Sequence, residues 1–522
     1  MPRGSRLDRY DVVVIGGGHN GLVAACYLAK SGMSVLVLER LDVLGGATQC
    51  TSPFAGIPAE VSSYASMMGL FPDRIADDLG LDLQSRPPRI SSFTPAVRHN
   101  LATGLLVERH EAEPTQAAFR ELTGSDAEYN AWRSFQAEVG DLAKQVSASL
   151  MEPLAPASEM RERVDQETWE MLVERPLREA IESRFTDDTV RGLVAGDAFL
   201  HGMVDLDSPA AGRNYLYHAL GTANGEWRVP LGGMGALTAA LERSAWRFNV
   251  ETVTHAFVTK VEADGRSARV TWQSDGEECF VDCDWVLGNV SPWVLKIMLG
   301  TQPGPRPEGS NVKVNMLVER LPKLRSDVSP ARAFAGTMNI AAGYEELRQS
   351  YAAARAGQLP GVVPGQWTCT TLTDPSTLGQ LAIDGMHLLS FLSMCTPARL
   401  FVEDVSGVRD EVVCRALDAI NAHLDEPVES LIVRDADGAP CLEAFAPQDL
   451  EAALALPGGH VNHNELSWPW MPDNAPLETP AQRWGVQTHI DNVMVCGAGA
   501  QRGGAVSGIG GHNAAMAVLD SR

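Results

Sequence analysis

The stretch Asp11 to Gly46, DVVVIGGGHNGLVAACYLAKSGMSVLVLERLDVLGG, leaves the chain few choices of fold. Val12 to Ile15 is an unbroken apolar run, the pattern of a parallel strand buried on both faces. Gly16, Gly18 and Gly21 follow at once in GxGxxG spacing. The first permits a tight turn, the second lets backbone approach a pyrophosphate, and the third lets the next helix lie close on the sheet. That helix is expected over Leu22 to Ser31, with its N–H groups and positive dipole end aimed at phosphates. A second strand, Val35 to Leu38, delivers Glu39, whose carboxylate suits ribose hydroxyls. Strand, glycine turn, helix, strand and terminal acid together predict dinucleotide binding. Arg40 and the glycine pair Gly45-Gly46 beyond the acid favour FAD, a cofactor that runs deep into its protein.

Near the other end, Asn492 to Gly499 is a second buried strand running into glycines. Gly503, Gly504, Val506 and Gly508 then lead into a helix reaching about Leu519. This is a second anion cradle. Two cradles at opposite ends of one chain suit one long cofactor with two different anchors, which again points to FAD rather than NAD.

Between them the chain reads as follows. Residues 1–10 form a short polar arm. From about Pro72 to His218 the pattern is helical, with long helices over Ala117–Val146 and Glu159–Leu200. A glycine-rich turn from Gly225 to Gly235 opens a helix over Ala236–Ala245. Three strands, Val250–Val261, Ser267–Gln273 and Glu278–Val286, are joined by Asp-Gly turns into a meander. Its last strand runs on to Gly288-Asn289 and returns to the dinucleotide sheet, and Ser291-Pro292 starts a helix. Val312 to Thr396 mixes strands and loops, and Val405 to Leu424 is an amphipathic helix. The fold class is α/β: a Rossmann-type FAD-binding domain with an inserted α+β substrate domain. The FAD-binding domain is discontinuous, residues 1–75, 225–300 and 485–522; residues 76–224 and 301–484 form the substrate-binding cap.

At 522 residues the chain has room for two or three domains. A net charge of −24 repels phosphate polyanions, so nucleic acid is not an expected partner. No apolar run approaches the ~20 residues of a membrane span. The first strand starts too early for a leader, which makes the expected compartment cytoplasmic. Nine scattered cysteines without a CxxC fit reduced thiols and exclude disulfide-reductase chemistry. No metal-ligand spacing occurs, and no metal is expected.

DVVVIGGGHNGLVAACYLAKSG, PLGGMGALTAAL, the Gly288-Asn289-Val290-Ser291-Pro292 return and VCGAGAQRGGAVSGIGGHNAA occur in this order. Together they resemble the phytoene desaturase-like flavoproteins, in the branch of the β-carotene ketolases and pyridine nucleotide-disulfide oxidoreductase domain-containing protein 2. The resemblance implies a fold shared with flavin amine oxidases. It also implies that Gly16, Gly18 and Gly21 hold the FAD pyrophosphate, Glu39 the ribose, and Arg40, Gly45 and Gly46 the same cofactor. Val258 would touch the adenine edge through its backbone, and Gly499 with Gly503–Gly508 would face the ribityl chain and flavin. Ala500-Gln501-Arg502 replaces the branch's usual Thr-His-Pro, which argues against a carotenoid substrate.

The expected chemistry is hydride removal from an organic small molecule, apolar or aromatic, to flavin N5, forming C=C, C=N or C=O. Either O2 or a quinone then takes the electrons. Arg502 is expected to stabilise the reduced flavin. His463, His460 and His512 are the candidate bases. One competing expectation is an amine oxidase with Trp468 and Trp470 caging the nitrogen. Others are a carotenoid desaturase or ketolase, as the resemblance implies, and a flavin-binding interaction protein with little turnover.

Overall fold

The computed structural model describes residues 7–110, 112–223 and 227–522. The first six residues of the polar arm and the Gly225-Glu226 start of the glycine-rich turn lie outside them. Apart from a two-stranded ribbon of Ser85–Arg86 with Val229–Pro230, the strands in chain order are β1 (Arg9–Ile15), β2 (Val35–Leu38), β3 (Ile90–Arg98), β4 (Leu101–Glu108), β5 (Glu251–Val253), β6 (Phe257–Ala263) and β7 (Ala268–Ser274). They continue with β8 (Glu277–Gly288), β9 (Lys313–Val318), β10 (Thr337–Ile340), β11 (Gly365–Thr368), β12 (His387–Ser393), β13 (Leu442–Phe445) and β14 (Val493–Val495). The helices that matter below are α1 (His19–Lys30), α2 (Ala127–Ser149), α3 (Asp188–Phe199), α4 (Pro209–Ala223), α5 (Gly235–Arg247), α6 (Pro447–Leu454) and α7 (Ile509–Asp520).

These strands make two seven-stranded sheets. The first runs β5-β2-β1-β8-β7-β6, with β14 also on β8. Its centre is parallel: Val12 to Ile15 of β1 pair Val35 to Leu38 on one side and Trp285 to Gly288 on the other. Alternate residues explain the burial. Val12, Val14, Val35, Val37 and Leu287 face α1, α5 and α7. Val13, Ile15, Leu36, Leu38 and Val286 face the opposite way, into the core of the meander. Period-two alternation with both faces covered is what continuous valine-leucine runs require.

The twelve-residue β8 joins the two ends of the chain. Its first half pairs antiparallel with β7; its last three residues pair parallel with Val493 to Val495 of β14. The tail strand therefore lies one strand from β1. The second sheet, order β13-β9-β12-β11-β10-β3-β4, packs against a separate core that includes the helix Val405–Asn421. A third core is made by the helices between Ala112 and Ala223.

Four local expectations need correction. The predicted strand Val250–Val261 is two strands, β5 at the sheet edge beside β2 and β6 in the meander, because His255 turns the chain with φ +53°. The helical reading of Pro72 to His218 misses the β3–β4 hairpin, which turns on two positive-φ residues, His99 and Asn100, and joins the second sheet. Ala117–Val146 is broken after Thr123, with α2 starting at Ala127. Glu159–Leu200 is a series of short helices, interrupted at Pro176 and again at Asp187, whose carboxylate caps α3.

Candidate functional site

The groove is built at the carboxyl ends of β1, β2 and β8, where open α/β sheets hold their ligands. Gly16 takes φ +98°, and a Cβ there would sit 2.8 Å from the Asn289 carbonyl oxygen. Gly21 lies so close beneath the turn that a Cβ would meet the Gly16 carbonyl at 2.3 Å. Asn289 locks the loop from the neighbouring strand: its N–H donates to Ile15 O at 2.8 Å and its Nδ2 to Gly16 O at 3.0 Å. Gly18 caps α1, and Gly45 pairs alongside it through a bond from Gly45 N to Gly17 O.

Glu39 stands at the tip of β2. One carboxylate oxygen accepts the Gly17 N–H at 2.7 Å and the other the Leu41 N–H at 2.8 Å. Each oxygen keeps a lone pair for a further donor such as a ribose hydroxyl. Ile15, Gly16, Gly18, His19, Asn20, Glu39, Arg40, Gly46, Val258, Asn289, His463 and Ala498 all line this one groove. Arg40 spans its rim and donates to the Ala453 carbonyl at 2.7 Å, at the end of α6. Gly21 and Gly45 stand just behind the wall.

The tail reaches the same place. A Cβ on Gly511 of α7 would lie 2.0 Å from Asn20 O of α1, and one on Gly510 would lie 2.6 Å from Gly497 O. Two helix N-termini are thus packed side by side at glycine distance. Gly499, Gly503, Gly504 and Val506 lie beyond Ala498 in the buried turn that feeds α7. Gly499 packs on Pro292, Gly503 on the Ala498 carbonyl and Gly504 on Leu466. None of these four lines the groove itself.

The candidate bases separate. His463, with φ +63°, is in the groove wall; its Nδ1 is buried without a partner, and burial pushes it down to about 4. His460 is buried behind it and likewise held at about 4. His512 does not reach the groove. Its Nδ1 pairs with Asn513 Oδ1 at 2.9 Å, and its ring packs edge-on to Tyr27 and Trp484. Arg502 is also misplaced for a flavin role. It is 1% exposed, and its guanidinium donates to the carbonyls of Ser149, Glu152 and Trp484. The cation complements the end of α2, where carbonyls lack intrahelical partners. Trp468 and Trp470 do not form a cage: they stack on each other at 4.9 Å and 18°, with Trp169 tilted against Trp470.

One group escaped the sequence reading. Lys313, first residue of β9, is buried; its Nζ lies 2.5 Å from Ser66 Oγ, and burial pushes it down to about 8. Glu443 on adjacent β13 faces it, raised by burial, and accepts a bond from Asn315 Nδ2. The segment carrying Ser66 is bonded to the groove wall through Ala65 N and Ala47 O. A lone lysine opening the apolar run Lys313–Val318 was the available signal. Among the described residues, no group of three or more His, Cys, Asp or Glu is placed to hold a metal, and no helix is long and apolar enough to cross a membrane.

Residues 14–66 match a family described as NAD(P)-binding Rossmann-like domain. The fold is shared with amine oxidases over nearly the whole chain. Putrescine oxidase bound to putrescine covers 98% of this chain and 99% of its own, with 16% identity and a TM-score of 0.54. Cyclohexylamine oxidase from Brevibacterium oxydans covers 98% of each, with 13% identity and a TM-score of 0.55. Pyridine nucleotide-disulfide oxidoreductase domain-containing protein 2 of Mus musculus is 28% identical over 99% of this chain and 94% of its own. An uncharacterized protein of Mycobacterium tuberculosis is 38% identical over 98% of this chain and 97% of its own. With a Rossmann groove at its centre and that identity along almost its full length, the chain belongs to the family of this mycobacterial protein.

Proposed function

We propose that the chain binds FAD in this groove and is an oxidoreductase that removes a hydride from an organic small molecule, leaving C=C, C=N or C=O. The observation that carries the reading is the convergence of two glycine turns, residues 16–21 and 497–511, on one sheet edge through β8. NAD needs only the first of these. The residues fit such a dinucleotide. Asn20 Oδ1 and His463 Nδ1 are buried polar atoms without protein partners, on the groove wall. Gly18 and Gly46 leave backbone bare where a side chain would intrude on Asn289 or on the facing turn.

In this reading Glu39 holds the adenosine ribose, and the first turn of α1 faces the pyrophosphate. Val258 borders the adenine, and Ala498, where the tail meets the groove, stands at the flavin end with the 499–506 turn and α7 packed behind it. The flavin, when bound, supplies a two-electron acceptor. The chain's own contribution is positioning, exclusion of water and proton handling. Lys313 Nζ, lowered by burial to about 8 and so mostly protonated at pH 7, is a group that can give a proton there and take it back. The sheet-and-helix remainder, residues 76–224 and 301–484, shapes the substrate chamber.

The test is to purify the protein, record its visible spectrum, and follow anaerobic bleaching against panels of alcohols, amines and polyenes. A flavin spectrum bleached by one class supports the proposal; re-oxidation by air or quinone then identifies the acceptor. A colourless protein that stays colourless after reconstitution with FAD refutes it.

A further inference from the structure

Across the groove from the first glycine turn stands a wall that the Rossmann unit does not supply. Leu454, Ala455 and Leu456 line it, at the end of α6 and just beyond, in the cap. The strand order β5-β2-β1-β8, with β14 beyond β8, sets the two ends of the groove. At the β14 end Ala498 is buried, as is Asn20 on α1. At the β5–β2 end Phe257 lines the groove and is nevertheless 53% exposed, so this is the mouth, where the groove meets solvent. Arg40 stands at this same end, one residue past Glu39.

Arg40 bridges the mouth from wall to wall. Its guanidinium donates to Ala453 O at 2.7 Å and to Ala452 O at 3.3 Å. Both carbonyls belong to the last turn of α6, where intrahelical partners run out and the negative end of the helix dipole favours a cation. The chain leaves α6 through Ala455, at φ +55°, a place where glycine is the usual residue. That left-handed turn brings residues 454–456 into the groove wall.

The rest of α6 is tied to the cap itself. Gln448 Nε2 donates to Ala398 O at 2.7 Å, Arg409 donates to Asp449 at 3.1 Å, and Glu451 pairs with Arg306. Beyond the helix, Gly309 N–H donates to Gly458 O at 2.8 Å. The cap wall is thus fixed from behind. At the mouth it is joined to the Rossmann side by Arg40; at the deep end the join is Asn462 Oδ1, which accepts the Ala505 N–H at 3.2 Å.

We propose that Arg40 is a clasp on the cofactor groove: its bonds to the end of α6 close the mouth, and a dinucleotide enters or leaves while they are broken. Arg40 is then a positioning residue rather than a ligand of the nucleotide, which Glu39 and the glycine turns hold. The clasp rests on the dinucleotide reading of the groove above, not on the flavin or the reaction. The two roles open to Arg40 leave different kinetic signatures. A clasp that is closed with and without cofactor slows both directions alike, so removing it raises both rates and leaves the dissociation constant nearly unchanged. Removing a direct ligand speeds dissociation alone and weakens binding. Loss of a cation by itself slows the capture of an anion, so faster association is not an electrostatic effect.

The experiment is stopped-flow quenching of FAD emission on the protein freed of cofactor, with dissociation from the loaded protein followed as emission regained on dilution. Arg40→Met is expected to raise both rates about five- to tenfold, the worth of one to two hydrogen bonds, with the dissociation constant changed by less than about twofold. Arg40→Lys keeps the charge and one donor to α6; its rates are expected about two- to threefold above wild type, and it serves where the methionine variant does not fold. Association that does not rise in the variant overturns the clasp, whatever dissociation does; faster dissociation alone makes Arg40 a ligand instead. FAD that does not bind the wild type refutes the flavin reading alone, and the same two rates are then read with NADH, whose own emission reports binding. A wild type that binds neither overturns both.

Discussion

Mild acid is expected to unfold this protein before most of its carboxylates are protonated. His19, His218, His460 and His463 are held at about 4, and His201 at about 3, each chiefly by burial. A free imidazole titrates near 6.5. Between about pH 4 and 6.5 the unfolded chain therefore binds up to five more protons at these sites, and stability falls as pH falls through that window. Asp197 opposes them: with its folded value at about 7, the native state holds one proton that the unfolded state does not. Glu443, also raised by burial, acts in the same sense as Asp197. The lowered carboxylates, such as Asp126, Asp264 and Asp473, titrate only below this window. A net excess of roughly three to four protons at about 1.4 kcal/mol per proton per pH unit gives a slope of about 5 kcal/mol per pH unit. Against a usual total of about 5–15 kcal/mol, that places the acid midpoint near pH 5. Circular dichroism and tryptophan emission against pH give the midpoint, and potentiometry gives the proton uptake on unfolding at pH 5.5. A midpoint below about pH 4, or uptake of less than one proton, would show that these imidazoles are not buried and neutral as described.

Three substitutions probe the remaining architecture. Arg502→Met strands the Ser149, Glu152 and Trp484 carbonyls; it is expected to cost about 2–4 kcal/mol in denaturant unfolding while leaving the flavin midpoint potential unchanged. Gly511→Ala drives a methyl into the Asn20 carbonyl and parts α7 from α1; a loss of about 1–3 kcal/mol with a raised dissociation constant for FAD is expected, read by urea melts and flavin release. Lys313→Met removes a buried ammonium whose folded value lies below that of the free side chain, so at pH 7, with both states protonated, the wild type carries the burial penalty. The variant is therefore expected to be at least as stable as wild type, yet to turn over at least about a hundredfold more slowly.

What the sequence makes legible is whatever neighbours in sequence decide. The Val12–Ile15 run, the glycines at 16, 18 and 21 and the acid at 39 form one βαβ unit, and the structure keeps them together because a strand, a turn and a helix can be read in a window of thirty residues. The two Asp-Gly turns hold for the same reason: positive φ at Asp275, Gly276 and Gly265 is a local demand. What fails is whatever depends on a distant partner. Arg502 looks like a cation in a flavin motif, but its guanidinium is claimed by the end of a helix about 350 residues earlier. His512 is claimed by Asn513, Tyr27 and Trp484. The β3–β4 hairpin is marked only by His99-Asn100, a turn pair with no glycine, inside a region otherwise rich in helical spacing.

The same reasoning explains why the chemistry-bearing groups fall where they do. A GxGxxG turn alone would give a nucleotide cradle at one sheet edge and leave the rest of the edge free. Here β8 is long enough to pair with the meander over Glu277–Cys283 and with the tail over Val286–Gly288, so the second glycine turn must arrive beside the first. Asn289, the next residue, then ties both together: its side chain bonds Gly16 and Gly18, and its Oδ1 lies against Gly497. His201, His218, His460 and His463 come from outside this Rossmann unit, between α3 and α4, on α4 or in the loop before β14, and that loop is tied to the tail turn where Ala505 N–H donates to Asn462 Oδ1. Cutting the bond from Ala505 N–H to Asn462 Oδ1 is therefore expected to loosen the tail turn. With Asn462→Ala, which also frees the His201 carbonyl, stability in urea should fall by about 1–2 kcal/mol and FAD should bind more weakly; FAD affinity that holds while stability falls would mean that the tail turn takes no part in holding the cofactor.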